Sequence, residues 1–186
     1  MRLTLAIATI LATAPTVRAD TPTTVTGEVA VGDGREYAEK YVREVGMSTG
    51  FVVARNLHSI TVTPSFGWFI TDKLQVSALV SLTSIKAGSD QSTIVTTMIE
   101  PSYHQRLDQR TFAFAGMGFG YSYIHRLGNG LTYTIRTGLQ FLIAKTHLFI
   151  PSVSYDFRTN EPEMPTLTEI AAERALRFNL GYAKLW

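Results

Sequence analysis

The sequence predicts an all-β fold: an eight-stranded antiparallel up-and-down β-barrel that crosses a membrane, preceded by a short N-terminal segment. Three observations predict it. From about residue 43 onward, apolar residues recur at every second position, the period of a strand. Charged residues make up only 17% of the chain and hydrophobic residues 45%, whereas an ordinary soluble domain is roughly 25% charged. The connections between the alternating segments are short and long in turn.

Met1 to Ala19 reads as a cleaved secretory signal. Arg2 supplies the charged start, Leu3 to Ala14 the apolar core, and Val17-Arg18-Ala19 a small-residue cleavage site before Asp20. The apolar run is shorter than the roughly 20 residues that a spanning helix needs. Cleavage removes Arg2 and Arg18. The 17 basic residues then fall by two and equal the 15 acidic ones, so the formal charge of +2 belongs to the leader. A neutral chain without basic runs gives no argument for nucleic acid. The absence of cysteine excludes disulfides, cysteine-ligated metals and thiol nucleophiles.

Residues 20–42 form the N-terminal segment, expected on the periplasmic side. Glu36/Lys40 and Glu39/Arg43 stand at helical spacing, and Tyr37 and Tyr41 would share a face. A short amphipathic helix against the barrel mouth is the first reading. A plug in the lumen or an extra strand at 24–31 are the alternatives.

The strands are expected at 44–54, 58–71, 74–86, 93–107, 111–125, 131–144, 147–157 and 172–186. In the second, Ile60, Val62, Phe66, Trp68 and Ile70 oppose Thr61, Thr63, Ser65 and Gly67. In the fifth, Ala113, Ala115, Met117, Phe119, Tyr121 and Tyr123 oppose Gly116, Gly118, Gly120 and Ser122. The sixth sets Leu131, Tyr133, Ile135, Leu139, Phe141 and Ile143 against Thr132, Thr134, Arg136, Gly138 and Gln140. A water-facing side would carry Lys and Glu. Here the side opposite the apolar one is Gly, Ser and Thr, which suits a narrow interior, while large apolar residues suit lipid. In lipid an open sheet edge is too costly, so the sheet must close. An even strand count fits a bacterial single-chain barrel.

The links at 71–73, 107–110 and 144–146 are tight and are expected to face the periplasm. Those at 86–92, 126–130 and 158–170 are longer and are expected outside. Residues 55–57 are short for an external link. Aromatics gather toward both rims: Trp68, Tyr103, Phe112 and Trp186 at the tight-turn end, and Tyr121, Tyr123, Tyr133, Tyr155 and Phe157 at the other. Rings of this kind favour membrane interfaces.

Inward polar residues are the only chemistry on offer. Glu100, Ser102, His104 and Arg106 alternate on the fourth strand, and Arg136, Gln140, Asp156, Arg177 and Asn179 face the same way on later strands. Buried charges must pair. Glu100 with Arg136 or Arg177, and Asp156 with Arg177, are the candidate pairs. The first reading is a structural polar network of Glu100, His104, Arg136, Asp156 and Arg177, since eight strands leave an interior just wide enough for side chains. A narrow solute pathway along these charges is the alternative. Glu100, Ser102 and His104 also hold the residue types of a hydrolase triad, but they point inward, away from any lipid substrate. Neither a catalytic site, a cofactor site nor a metal cluster is expected.

Three segments carry a resemblance. ALRFNLGYAKLW resembles the C-terminal recognition strand of Gram-negative outer-membrane barrels, which their assembly machinery reads. Trp186 stands where Phe is more usual, and Lys184 interrupts the apolar face and can snorkel to headgroups. PSFGWFITDKLQVSA resembles a strand–turn–strand of the outer membrane protein A and W-like superfamily, and FAFAGMGFGYSYIHR its glycine-rich strand. The resemblance spans roughly residues 44–186. It implies a bacterial outer-membrane location, outer-membrane lipid and the assembly machinery as partners, and a monomer. Because the sequence stops at the barrel, no following peptidoglycan-binding domain is expected. A structural or surface role is implied first, a channel for small or apolar solutes second, a lipid A-modifying enzyme last.

Overall fold

The computed structural model describes residues 36–54, 57–87, 90–124, 128–159 and 174–186. The expected leader, the possible strand at 24–31 and most of the 158–170 loop lie outside the described residues. The strands are β1 (Arg43–Ala54), β2 (Leu57–Thr71), β3 (Leu74–Ala87), β4 (Asp90–Asp108), β5 (Thr111–Ile124), β6 (Gly128–Ala144), β7 (His147–Arg158) and β8 (Arg174–Leu185). Each pairs antiparallel with its sequence neighbours, and β8 returns to β1 to close the barrel. The closing seam runs from Glu44↔Leu185 to Phe51↔Phe178.

The two-residue period places the two classes of side chain on opposite faces of this closed sheet. On the outside, Ile60 and Ile99 are each 61% exposed and Phe178 58%; inside, Ser122 is 0% and Thr83 1% exposed. The core is thus polar along much of its length and the coat apolar, the reverse of a water-soluble barrel. Hydroxyls inside satisfy one another across strands, as in Thr61–Thr83 at 2.9 Å and Thr63–Ser81 at 2.8 Å.

Several expectations are corrected. β4 starts at Asp90 and β6 at Gly128, so the links before them are shorter than expected. The hairpin ladder simply continues, with Ala87↔Asp90, Lys86↔Gln91 and Ile124↔Gly128 still in register. Glu36–Val42 forms turns in place of a helix, with Ala38 at φ 71° and Tyr41 at φ 75°. Left-handed backbone at two of seven positions is incompatible with a helical turn. Tyr37 and Tyr41 consequently part: the first is 4% exposed and the second 51%. Phe112 leaves the rim belt and is buried in the lumen, because it lies an even number of residues from the inward Gly116. Arg106 leaves the lumen. It stands at the strand end, where the β4–β5 register shifts between Arg106 and Asp108, and its exposed guanidinium pairs with Glu36 at 2.6 Å.

Candidate functional site

The lumen is the candidate site, and it is layered. At the tight-turn end Phe69, Phe112, Phe114, Leu142, Leu148 and Leu185 form an apolar cluster with Tyr37 in its midst. Tyr37 meets Phe112 edge-on at 4.8 Å and Phe69 at 5.3 Å. At the opposite end Ile85, Ile94 and Ile124 form a smaller apolar cluster. Between the two lie the buried charges.

The segment that delivers Tyr37 is held by the sheet it seals. Tyr41 N–H donates to Phe69 O at 2.8 Å, and Phe69 N–H to Val42 O at 3.0 Å. Lys73 N–H donates to Ala38 O at 2.7 Å, and Lys40 N–H to Asp72 Oδ1 at 2.9 Å. The Tyr37 hydroxyl then donates to Gln140 Oε1 at 2.7 Å and lies 3.3 Å from Glu44 Oε2. Burial, reinforced by the Glu44 carboxylate, pushes the Tyr37 phenol well above its ordinary value.

His104 sits one layer further in. Its Nδ1 is 2.8 Å from Gln140 Oε1 and its Nε2 2.9 Å from Ser102 Oγ. The amide oxygen can only accept, which places the ring proton on Nδ1 and leaves Nε2 to accept from Ser102. The ring stacks on Phe114 at 5.7 Å. Glu100 turns away from this pair: Arg136 donates to its Oε1 from Nε at 3.1 Å and from Nη2 at 2.5 Å. The triplet Glu100, Ser102, His104 is therefore split, with an amide where a triad would need a carboxylate. Ser102 and His104 are both buried. The cavity beside Glu44, His104, Arg136 and Gln140 measures about 20 Å³, room for about one water and for no acyl chain.

Toward the other end Asp156 Oδ2 lies 2.7 Å from Arg177 Nη1 and 3.5 Å from Arg158 Nη2, while Thr134 Oγ1 donates to Oδ1 at 2.8 Å. The candidate network thus divides into two groups. Glu100, His104 and Arg136 sit with Glu44 near the tight turns; Asp156 and Arg177 sit with Arg158 beyond them. Arg177 reaches Asp156 and not Glu100. Formally the first group carries one excess carboxylate and the second one excess guanidinium. Sequence reasoning missed Glu44 and Phe69, and reached Tyr37 only through the alternative of a lumen plug, which the buried ring matches. No spacing points to Tyr37, because a turn delivers it. Glu44 and Phe69 were legible from parity alone, since they alternate with the outward Val45 and Trp68.

Of the aromatics expected at the rims, Trp68, Tyr121, Tyr123, Tyr133 and Trp186 are exposed on the outer wall, and Tyr155 is half-buried edge-on to Phe157 at 4.6 Å. Among the described residues no group of three or more His, Asp or Glu is placed to hold a metal ion.

No family model matches the sequence, and neither does any curated protein sequence. Solved structures do match in fold. The crystal structure of Neisserial surface protein A aligns with a TM-score of 0.57 at 10% identity, covering 77% of this chain and 96% of that one. The N-terminal β-barrel domain of Pseudomonas aeruginosa OprF aligns at 0.52 with 11% identity, covering 79% and 98%. The outer membrane protein OprG from Pseudomonas aeruginosa aligns at 0.51 with 8% identity, covering 85% and 98%. The fold is that of small eight-stranded transmembrane barrels.

Proposed function

We propose that this chain is a bacterial outer-membrane barrel with a sealed lumen, acting as a structural or surface-exposed membrane protein without catalysis. The observation that carries the reading is the inversion of the sheet: a closed barrel with apolar residues outside and hydroxyls and paired charges inside is stable only where the outside meets lipid. The fold likeness to outer-membrane barrels supports the same location. In this reading residues 1–19 direct export, the tight turns and the Tyr37 segment face the periplasm, the aromatic rings mark the two interfaces, and the assembly machinery reads β8.

Heat-modifiable gel mobility combined with membrane fractionation tests the location. A chain that fractionates as soluble and shows no mobility shift sinks it. The lumen favours a structural role over a channel, because Tyr37 and the Glu100–Arg136 pair fill the path. Planar-bilayer recording separates the two: the sealed barrel gives no stable conductance steps, and steps in the unmodified protein establish the channel. An enzyme would alter the mass of lipid A on expression, and His104→Ala would abolish the change; we expect no change in either strain.

A further inference from the structure

At the seam between β1 and β8 the outer wall carries two cations close to the tight-turn rim. Arg43, at the start of β1, faces outward with its guanidinium over the Trp68 ring, 5.9 Å from the centroid. Backbone bonds in both directions at 3.1 Å pair Arg43 with Trp186, which is exposed as Trp68 is. Lys184 lies on the same face of β8, opposite Val45 of β1 and His147 of β7. Arg43 and Lys184 are therefore diagonal neighbours across the seam, at the roughly 7–8 Å spacing of such pairs. Tyr182 bonds His147 beside them.

These two cations are unmatched. The ion pairs among the described residues engage Arg106, Arg136, Arg158 and Arg177, and none engages Arg43 or Lys184. The outward faces of β7, β8, β1 and β2 carry no Asp or Glu at any described position. Glu44 is buried inside, and the exposed Glu39 and Asp72 below the rim accept from the Glu36 and Lys40 backbone and form no ion pair with either cation. Two cations side by side repel each other and gain nothing from a lipid tail. What they fit is an anion held at the depth of the aromatic ring.

We propose that Arg43 and Lys184, flanked by Trp68 and Trp186, form a binding site for the phosphate of an anionic phospholipid at the tight-turn rim of the barrel. This rests on the membrane reading above. Arg43 offers a planar fork of donors to two phosphate oxygens, and Lys184 a point charge to the same group. The two tryptophans place their ring bodies against the upper acyl chain. A zwitterionic headgroup brings its own ammonium and gains no net attraction, so the site selects net negative charge.

The test uses the purified full-length barrel in detergent with equimolar phosphatidylglycerol and phosphatidylcholine, read by native mass spectrometry. Retained phosphatidylglycerol should exceed phosphatidylcholine. The double variant Arg43→Gln/Lys184→Gln should lose the preference, about fivefold for each cation removed, with heat-modifiable mobility unchanged. The exchanged variant Arg43→Lys/Lys184→Arg should keep it. Inorganic phosphate at millimolar level should not displace the lipid; displacement would show a free-anion site and overturn the lipid assignment. A heat-shifting barrel that retains both lipids equally, or a double variant that keeps the preference, overturns this proposal alone. A chain with no heat shift that stays out of membranes overturns the membrane reading and this site with it.

Discussion

Arg136 places two donors on one oxygen of Glu100, and Glu100 is 1% exposed. A pair this deep contributes little net stability when intact but is costly to break from one side, by about 3–5 kcal/mol. Glu100→Gln should therefore lower unfolding stability in detergent by that amount, and Glu100→Gln/Arg136→Gln should recover part of it; denaturant titration of both variants checks the order. Tyr37 behaves differently because its neutral form is the one that fits. Its phenol is raised above 10.0 in the folded state, so its contribution is complete below that value and falls as the pH rises through it, where the unfolded chain ionises and the folded one resists. Tyr37→Phe should flatten the alkaline limb of the stability profile. At neutral pH it should cost about 1–3 kcal/mol through the partners left at Gln140 and Glu44. A stability curve for Tyr37→Phe that parallels the parent above pH 10 would refute the assignment.

Among the strands, β5 depends on what it lacks. A Cβ on Gly116 would stand 3.0 Å from Ser102 Cβ and 3.1 Å from Glu100 Oε1, tighter than side chains normally approach. Gly116→Val should push directly on the Glu100–Arg136 pair and reduce the folded fraction. The same change at Gly128, which has open space around it, should fail for a separate reason, its φ of 82°. Comparing folded yields of the two by gel mobility, with Asn as the tolerated control at Gly128 alone, distinguishes crowding from backbone strain. The strands are what the sequence marks most clearly. Alternation over long runs marked all eight strands because lipid on one side and a narrow interior on the other impose opposite chemistry on successive residues. Parity likewise put Glu100, His104, Arg136, Asp156 and Arg177 inside. The Asp156–Arg177 pair was legible as well; whether Glu100 meets Arg136 or Arg177 was not, since that choice rests on their register along the barrel. The placement of Tyr37 was hidden for a deeper reason. It depends on left-handed turns at Ala38 and Tyr41, residue types that seldom announce such a backbone.

The molecule as a whole is a lipid-coated cylinder with a stopper at one mouth. If the stopper is what closes the tight-turn end, then Tyr37→Ala combined with Glu36→Ala should loosen it. Small-solute leakage from vesicles should rise, while the barrel keeps its heat-modifiable mobility; unchanged leakage would show that the inner aromatic layer seals the path without the segment. The same stopper sets an order of events during assembly. Seven of the eight seams join strands consecutive in the chain and can zip as hairpins, but β1 meets β8 only when the last strand has been made, the slowest kind of contact to form. The stopper is continuous with β1 and hydrogen-bonded to the end of β2, so it can be seated while the sheet is still an open, curling ribbon. Were it left outside at closure, it would have to swing over the rim and open an aromatic layer already packed in the mouth. Shortening the segment should therefore show itself first in the time course of folding, before any change in the finished barrel.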